Sequence, residues 1–209
     1  MQQFHEQNFT SLCDQLAAHD PHLQWILSEY GYPPMWTRPN RFETLVLTIL
    51  EQQVSLASAY AAYQRLKARL PNPSPAAFLR LNDEELRSCY FSRQKIVYTR
   101  ELAQALLSKK VSLKRFEQEG DEVVRKELKA LKGIGDWTVD IYLLHALQRT
   151  DIFPLGDLAL VRALEMVNGE KRSKEEWEKR AINWKPYRSI ATMMLWHFYI
   201  QKKKIRILH

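Results

Sequence analysis

Residues 131–140, LKGIGDWTVD, place two glycines around one apolar residue directly after the lysine- and leucine-rich stretch DEVVRKELKALK. Gly133 and Gly135 let the backbone turn sharply about Ile134. A helix restarting there, with Asp136 as its candidate cap, leaves amide N–H groups pointing outward at its first turn. Such a turn can grip a phosphate oxygen, although an ordinary helix connection with a buried isoleucine also fits these residues. A second group follows at 153–161, where Asp157 stands after Phe153, Pro154 and Gly156 and before Leu158, Leu160 and Val161. That is the place of a helix N-cap, and capping by itself accounts for an aspartate there. The formal charge of +7 favours a polyanionic partner, because cations that meet phosphates release condensed counterions. Only Cys13 and Cys89 are available as thiols. Neither a disulfide framework nor a four-thiolate zinc or iron-sulfur site can be built from two cysteines, and no cofactor is expected.

The elements that must position these groups read as helices. Apolar residues recur at helical spacing, whereas alternating Val/Ile/Thr runs joined by Asn-Gly or Asp-Gly turns are missing, so the fold class is all-α. Asp20 and Pro21 open a helix through Leu27 that Gly31 can close. Asn40 with Glu43, Asn82 with Glu85, and Ser173 with Glu176 each place a capping side chain three residues before an acid. Phe42, Leu45, Val46 and Ile49 form one core stripe, and Ser55 can cap a following helix that carries Leu56, Tyr60, Tyr63 and Leu66. The segment LPNPSPAAF reads as a connection, after which Leu102, Leu106 and Leu107 mark a helix begun near Ser92. With 209 residues, no internal repeat and no long linker, one helical domain over 1–209 is the simplest organisation. The amino terminus lacks a basic, then apolar, leader and TLVLTIL is too short to span a bilayer, so a cytosolic or nucleoid location and no membrane partner are expected.

The hairpin, taken as about 124–149, and the loop about 150–158 with its continuation FPLGDLALVRAL, resemble the helix-hairpin-helix of the DNA glycosylase superfamily that includes endonuclease III. The resemblance covers roughly residues 40–66 and 130–200. It implies two helical lobes around a cleft, no iron-sulfur cluster, and double-stranded DNA containing damaged bases as the partner of a monomer. Lys132, Gly133, Ile134, Gly135 and Thr138 would bind the DNA backbone. No side chain ligates metal in this scheme, but a monovalent cation can sit at the backbone of Gly133 and Gly135. Asp157 falls on the family's catalytic aspartate. Cleavage of a glycosidic bond passes through an oxocarbenium-like sugar, which a nearby carboxylate stabilises while it orients water. Bifunctional relatives carry a Schiff-base lysine early in the second hairpin helix, where this chain has Trp137, with Lys132 before the hairpin a poor substitute. The resemblance therefore implies a monofunctional enzyme.

Trp137 and the run NWKPYRSIATMMLW are similar to the 3-methyladenine DNA glycosylase II group, which makes Trp137, Trp184 and Tyr187 base-pocket residues. Aromatic faces attract cationic rings, and a purine alkylated at N3 or N7 is cationic and leaves as a neutral molecule without an acid. In ILEQQVSLASAY, Gln53 falls at the wedge that fills the gap of a flipped nucleotide, supported by Gln52 and Ser55. Arg188 would contact phosphate or cap a helix. Two departures from the group are Glu51, where many relatives have a small residue, and Ile141, where some have an aromatic. A glycosylase of this fold for deaminated or oxidised bases, or a noncatalytic DNA-binding module in which Asp157 is only a cap, are the alternatives.

Overall fold

The computed structural model describes residues 2–206, which are α-helical apart from connections and one isolated antiparallel bridge between Gln3 and Arg149. They divide into two compact units. One joins the chain up to Thr37 with Leu143–Arg206, and the other is Arg38–Tyr142.

The chain opens in the first unit with α1 (Phe9–Ala17) and α2 (Pro21–Tyr30). Asp20 caps α2 by accepting from the amides of His22 and Leu23, Pro21 takes the first helical position, and Gly31 at φ +74° ends the helix. The chain then builds the second unit from α3 (Phe42–Glu51), α4 (Leu56–Arg69), α5 (Pro75–Leu79), α6 (Asp83–Ser88), α7 (Arg93–Leu107), α8 (Leu113–Phe116), α9 (Asp121–Lys129) and α10 (Asp136–His145). The division between units falls within α10. Every residue of α3 except Glu43 is buried, so this helix is the axis of its unit's core. Each fully buried Leu or Ile there contributes roughly 1.5–3 kcal/mol. Ser55, Asn82 and Ser92 cap α4, α6 and α7 as their positions in the sequence predict.

Two expectations for this unit are corrected. Asn40 does not begin a capping box: the helix starts one residue later, from Arg41, without a side-chain cap. Asn40 instead donates to the Leu113 carbonyl (2.8 Å) and Glu117 (2.9 Å) and accepts from the Tyr142 hydroxyl (2.6 Å). These long-range partners outcompete a local cap. The proline-rich segment LPNPSPAAF is not merely a connection either, because Ser74 accepts from the Ala77 amide and Pro75 fits the first helical position, giving α5.

The first unit resumes with α11 (Leu158–Asn168), ended by Gly169 in the left-handed conformation, α12 (Lys174–Ala181) with its Ser173–Glu176 capping box, a 3-10 turn at Ile182–Trp184, and α13 (Arg188–Lys203). Residues Ser189–Phe198 of α13 are all buried, so α1, α2 and α11 pack around it. Cys13 and Cys89 are buried in different units, and burial pushes the Cys13 thiol up to about 12. No helix among the described residues is long and apolar enough to cross a membrane.

Candidate active site

In the first unit the loop after α10 leads to Asp157, which caps α11 from an extended backbone. Its Oδ1 accepts from the Leu160 amide at 2.8 Å and from the Trp196 indole N–H at 2.9 Å. Two donors on one oxygen fix the plane of the carboxylate, while the residue stays half-buried and within reach of solvent. The indole is itself held: the Trp196 ring stacks on His145, with centroids 5.6 Å apart and planes 13° from parallel. His145 Nδ1 lies 2.7 Å from the Trp36 carbonyl, which can only accept, so Nδ1 carries the proton. Upstream in the loop, Arg188 at the start of α13 forks onto Asp151, with Nε–Oδ1 at 2.7 Å and Nη2–Oδ2 at 2.8 Å. This planar bidentate pair is the kind that restricts geometry most. Ser189 adds bonds to the Ile152 amide (2.8 Å) and the Arg149 carbonyl (2.6 Å).

Sequence reading missed Trp196, His145 and Asp151. Trp196 sits in a helix buried on all sides over 189–198, so no one-sided periodicity marks it. Trp196→Phe keeps the stacked ring but removes the donor to Asp157. Because hydrogen bonds to charged groups contribute about 1.5–3 kcal/mol, the rate of any reaction that depends on this carboxylate is expected to fall about tenfold or more. An unchanged rate would mean that the Leu160 amide alone sets the carboxylate.

The two other expected pocket residues of this unit separate. Trp184 is 2 % exposed, its N–H donates to Asp20 at 2.9 Å, and its ring meets Phe153 edge-on with the Arg180 guanidinium also against it. A ring so enclosed presents no face to a base in this conformation, so Trp184 is a core residue here. Tyr187 remains half-buried, just before α13, and its hydroxyl accepts a long bond (3.4 Å) from Gln2. Arg188, engaged with Asp151, is a loop anchor rather than a phosphate contact.

In the second unit the hairpin is formed by α9 and α10 around Gly133 and Gly135. Gly133 has φ +82°, and a Cβ built on it would lie 2.0 Å from the Tyr98 ring, so both the turn and its packing exclude a side chain. Gly135 meets nothing within 4 Å, leaving room for a ligand to approach the backbone. The Val139 amide bonds back to the Gly135 carbonyl, which starts α10. Asp136 is therefore the first helical residue and not a cap, and it pairs with Lys129 across the turn at 2.5 Å. Ile134 is buried and its amide donates to Leu131, so its share of the grip is structural. Thr138 is 2 % exposed and accepts from Gln52 instead of facing DNA. Lys132 is exposed and Trp137 half-buried at the start of α10.

The loop between α3 and α4 lies against this hairpin. Gln52 donates to the Gly133 carbonyl and to the Thr138 hydroxyl, both at 2.9 Å. Gln53 is exposed with φ +57°, and Ser55 caps α4 through the Ser58 amide. Glu51, the departure noted in the sequence, is buried against Arg38.

The family of HhH-GPD superfamily base excision DNA repair proteins matches residues 46–188. A putative DNA-3-methyladenine glycosylase of Bacillus subtilis, YfjP, is 28 % identical over 184 residues, covering 83 % of this chain, and the chain spans 64 % of that relative's length. DNA-3-methyladenine glycosylase 1 of Schizosaccharomyces pombe is 29 % identical over 172 residues, 76 % of this chain and 75 % of its own. Among solved structures, a DNA-3-methyladenine glycosidase from Bacillus halodurans superposes with a TM-score of 0.78 at 29 % identity, covering 98 % of this chain and 95 % of that one. The S. pombe 3-methyladenine DNA glycosylase Mag1, in complex with abasic DNA, gives 0.83 at 26 % identity, with 89 % and 95 % covered. A match running from within α3 through the glycine hairpin and past Asp157 covers more than half of the chain, and the chain belongs to the HhH-GPD superfamily of base excision DNA repair proteins.

Proposed function

We propose that this protein is a monofunctional DNA glycosylase that hydrolyses the N-glycosidic bond of alkylated purines of the 3-methyladenine and 7-methylguanine type, after flipping the nucleotide out of the duplex. One observation carries the reading: the Asp157 carboxylate is held at the start of α11 by the Leu160 and Trp196 N–H groups while remaining half-buried rather than sealed. The relatives' names and the net charge of +7 support the substrate class and the DNA partner.

The chemistry then needs only one carboxylate. The C1′–N bond breaks with its electron pair passing to the cationic purine, which departs neutral. Positive charge develops on the sugar and is stabilised by Asp157. Water adds to C1′, its proton leaves by way of Asp157 to solvent, and an abasic site remains. Trp137 supplies an aromatic face for the cationic ring, worth about 0.5–2 kcal/mol of selectivity. Gln53 fills the vacated position in the stack, and Lys132, Gly133 and Gly135 hold the backbone. A monovalent cation at the backbone of Gly133 and Gly135 belongs to this reading: the Gly133 carbonyl accepts from Gln52 and the Gly135 carbonyl from the Val139 amide, and a carbonyl oxygen has two lone pairs. Bound there, it would supply positive charge toward a phosphate. Action as a monomer in the cytosol or nucleoid belongs to the same proposal.

The test is release of free base from duplex DNA carrying 3-methyladenine or 7-methylguanine, with borohydride present in a parallel reaction. Free base without a trapped protein–DNA adduct is the expected result. Binding without release would leave a noncatalytic module, and a trapped adduct would mean a lyase.

A further inference from the structure

Three consecutive residues at the end of α3 have three different environments. Glu51 is locked by a two-pronged pair with Arg38, Nη2–Oε1 at 2.6 Å and Nη1–Oε2 at 2.9 Å, its side chain only 4 % exposed. Gln53 adopts the left-handed region and is exposed. Between them Gln52 leaves the helix at φ −59° and ψ 122° and reaches the hairpin. Its Nε2 touches Gly133, in the turn, and Thr138, on the first turns of α10. The carbonyl of Gly133 can only accept, which fixes the amide with its NH2 group toward the hairpin. One side chain thus ties the loop that carries Gln53 to both sides of the glycine turn, and Thr138 is buried beneath it.

We propose that Gln52 is a positioning residue that sets the register between the wedge and the phosphate grip, so that Gln53 enters the stack at the nucleotide whose backbone the hairpin holds. This rests on the roles proposed above for the hairpin and Gln53. Successive nucleotides of one strand are about 3.4 Å apart, so a slip of half that distance between wedge and grip places the side chain against a base instead of in a gap. Loops between helices are ordinarily the mobile parts of a fold. Here Glu51 and Gln52 anchor the loop at its α3 end, and the exposed Gln53 follows directly. The partner of this device is the duplex at an extruded nucleotide, and Gln52 acts through the hairpin without touching it.

The experiment compares the wild type, Gln52→Met, Thr138→Val and the double variant. Three readouts are taken: affinity for a duplex with a tetrahydrofuran abasic analogue, fluorescence of a 2-aminopurine placed beside that analogue, and single-turnover release from the alkylated duplex. Methionine preserves length and packing but cannot donate. For Gln52→Met, affinity is expected to stay within about threefold, the fluorescence rise to fall by more than half, and release to drop about 10–100-fold, the scale of a misplacement near 1 Å. Thr138→Val should lose less in the same direction, and the double variant should be no worse than Gln52→Met alone, the sign of a shared interaction. Unchanged fluorescence and rate, losses that multiply, or affinity falling in step with rate would each overturn the proposal, the last by pointing to a general structural role. A wild type that unstacks the probe but releases no base would defeat the excision reading and leave the register device standing on the fluorescence. A wild type that neither binds nor unstacks would defeat both.

Discussion

Asp157→Asn is expected to lower single-turnover base release by about three decades while leaving affinity for an abasic-analogue duplex within about threefold. The substitution isolates charge from structure. Asparagine is as good an N-cap as aspartate, and its carbonyl oxygen can keep both the Leu160 amide and the Trp196 indole as donors. What disappears is the negative charge that the proposed mechanism sets against the sugar. A unit charge pair at about 4 Å with an effective dielectric near 20 is worth roughly 4 kcal/mol, which converts to that loss of rate. Asp157→Ala should look similar in rate but also cost about 1 kcal/mol of stability through the lost cap. If Asp157→Asn released base at the wild-type rate, the aspartate would be a cap and nothing more, and the catalytic mechanism proposed here would be withdrawn.

The largest effect on stability is expected at Gly133. Gly133→Ala forces a side chain into a left-handed backbone and drives its Cβ to within 2.0–2.3 Å of three carbons of the Tyr98 ring. The conformational cost is about 1–2 kcal/mol and the overpacking cost about 1–3 kcal/mol, so a loss of roughly 2–4 kcal/mol in urea unfolding is expected, with DNA affinity falling as the turn deforms. A Tyr98→Leu background, which removes the ring, should recover part of the loss. Gly135→Ala is the counterpart: its Cβ meets open space and no positive φ opposes it, so stability should stay within about 0.5 kcal/mol. Its affinity for DNA should nonetheless drop, because the methyl group would stand where the proposed grip brings a phosphate. Equal stability losses at the two glycines would show that the Tyr98 contact does not hold in solution.

Much of the local architecture was legible in residue order. The caps at Asp20, Ser55, Asn82, Ser92, Asp157 and Ser173 are made by side chains to amides two or three residues on, and those bonds need nothing beyond the segment itself. The glycine turn was legible for the same reason, whereas the place of Gln53 came only from the family resemblance. The Asn40 box failed because a polar side chain with local and distant partners chooses by geometry: here the Leu113 carbonyl, Glu117 and Tyr142 prevail.

The sequence by itself determined an all-helical chain, a glycine turn between two helices and an aspartate at a helix start, since each follows from contacts within a few residues. Only the tertiary structure decided what the aromatic and polar groups around them do. Trp184 and Trp196 are alike in composition and lie in one continuous run, yet one is packed over Phe153 and bonded to Asp20 while the other reaches Asp157. The family resemblance put Thr138 on DNA and Arg188 on phosphate or at a helix cap, and in the fold they serve Gln52 and Asp151. A side chain's partner across 30 or 160 residues is set by how helices pack, and that packing is a property of the whole core, which no window of sequence contains.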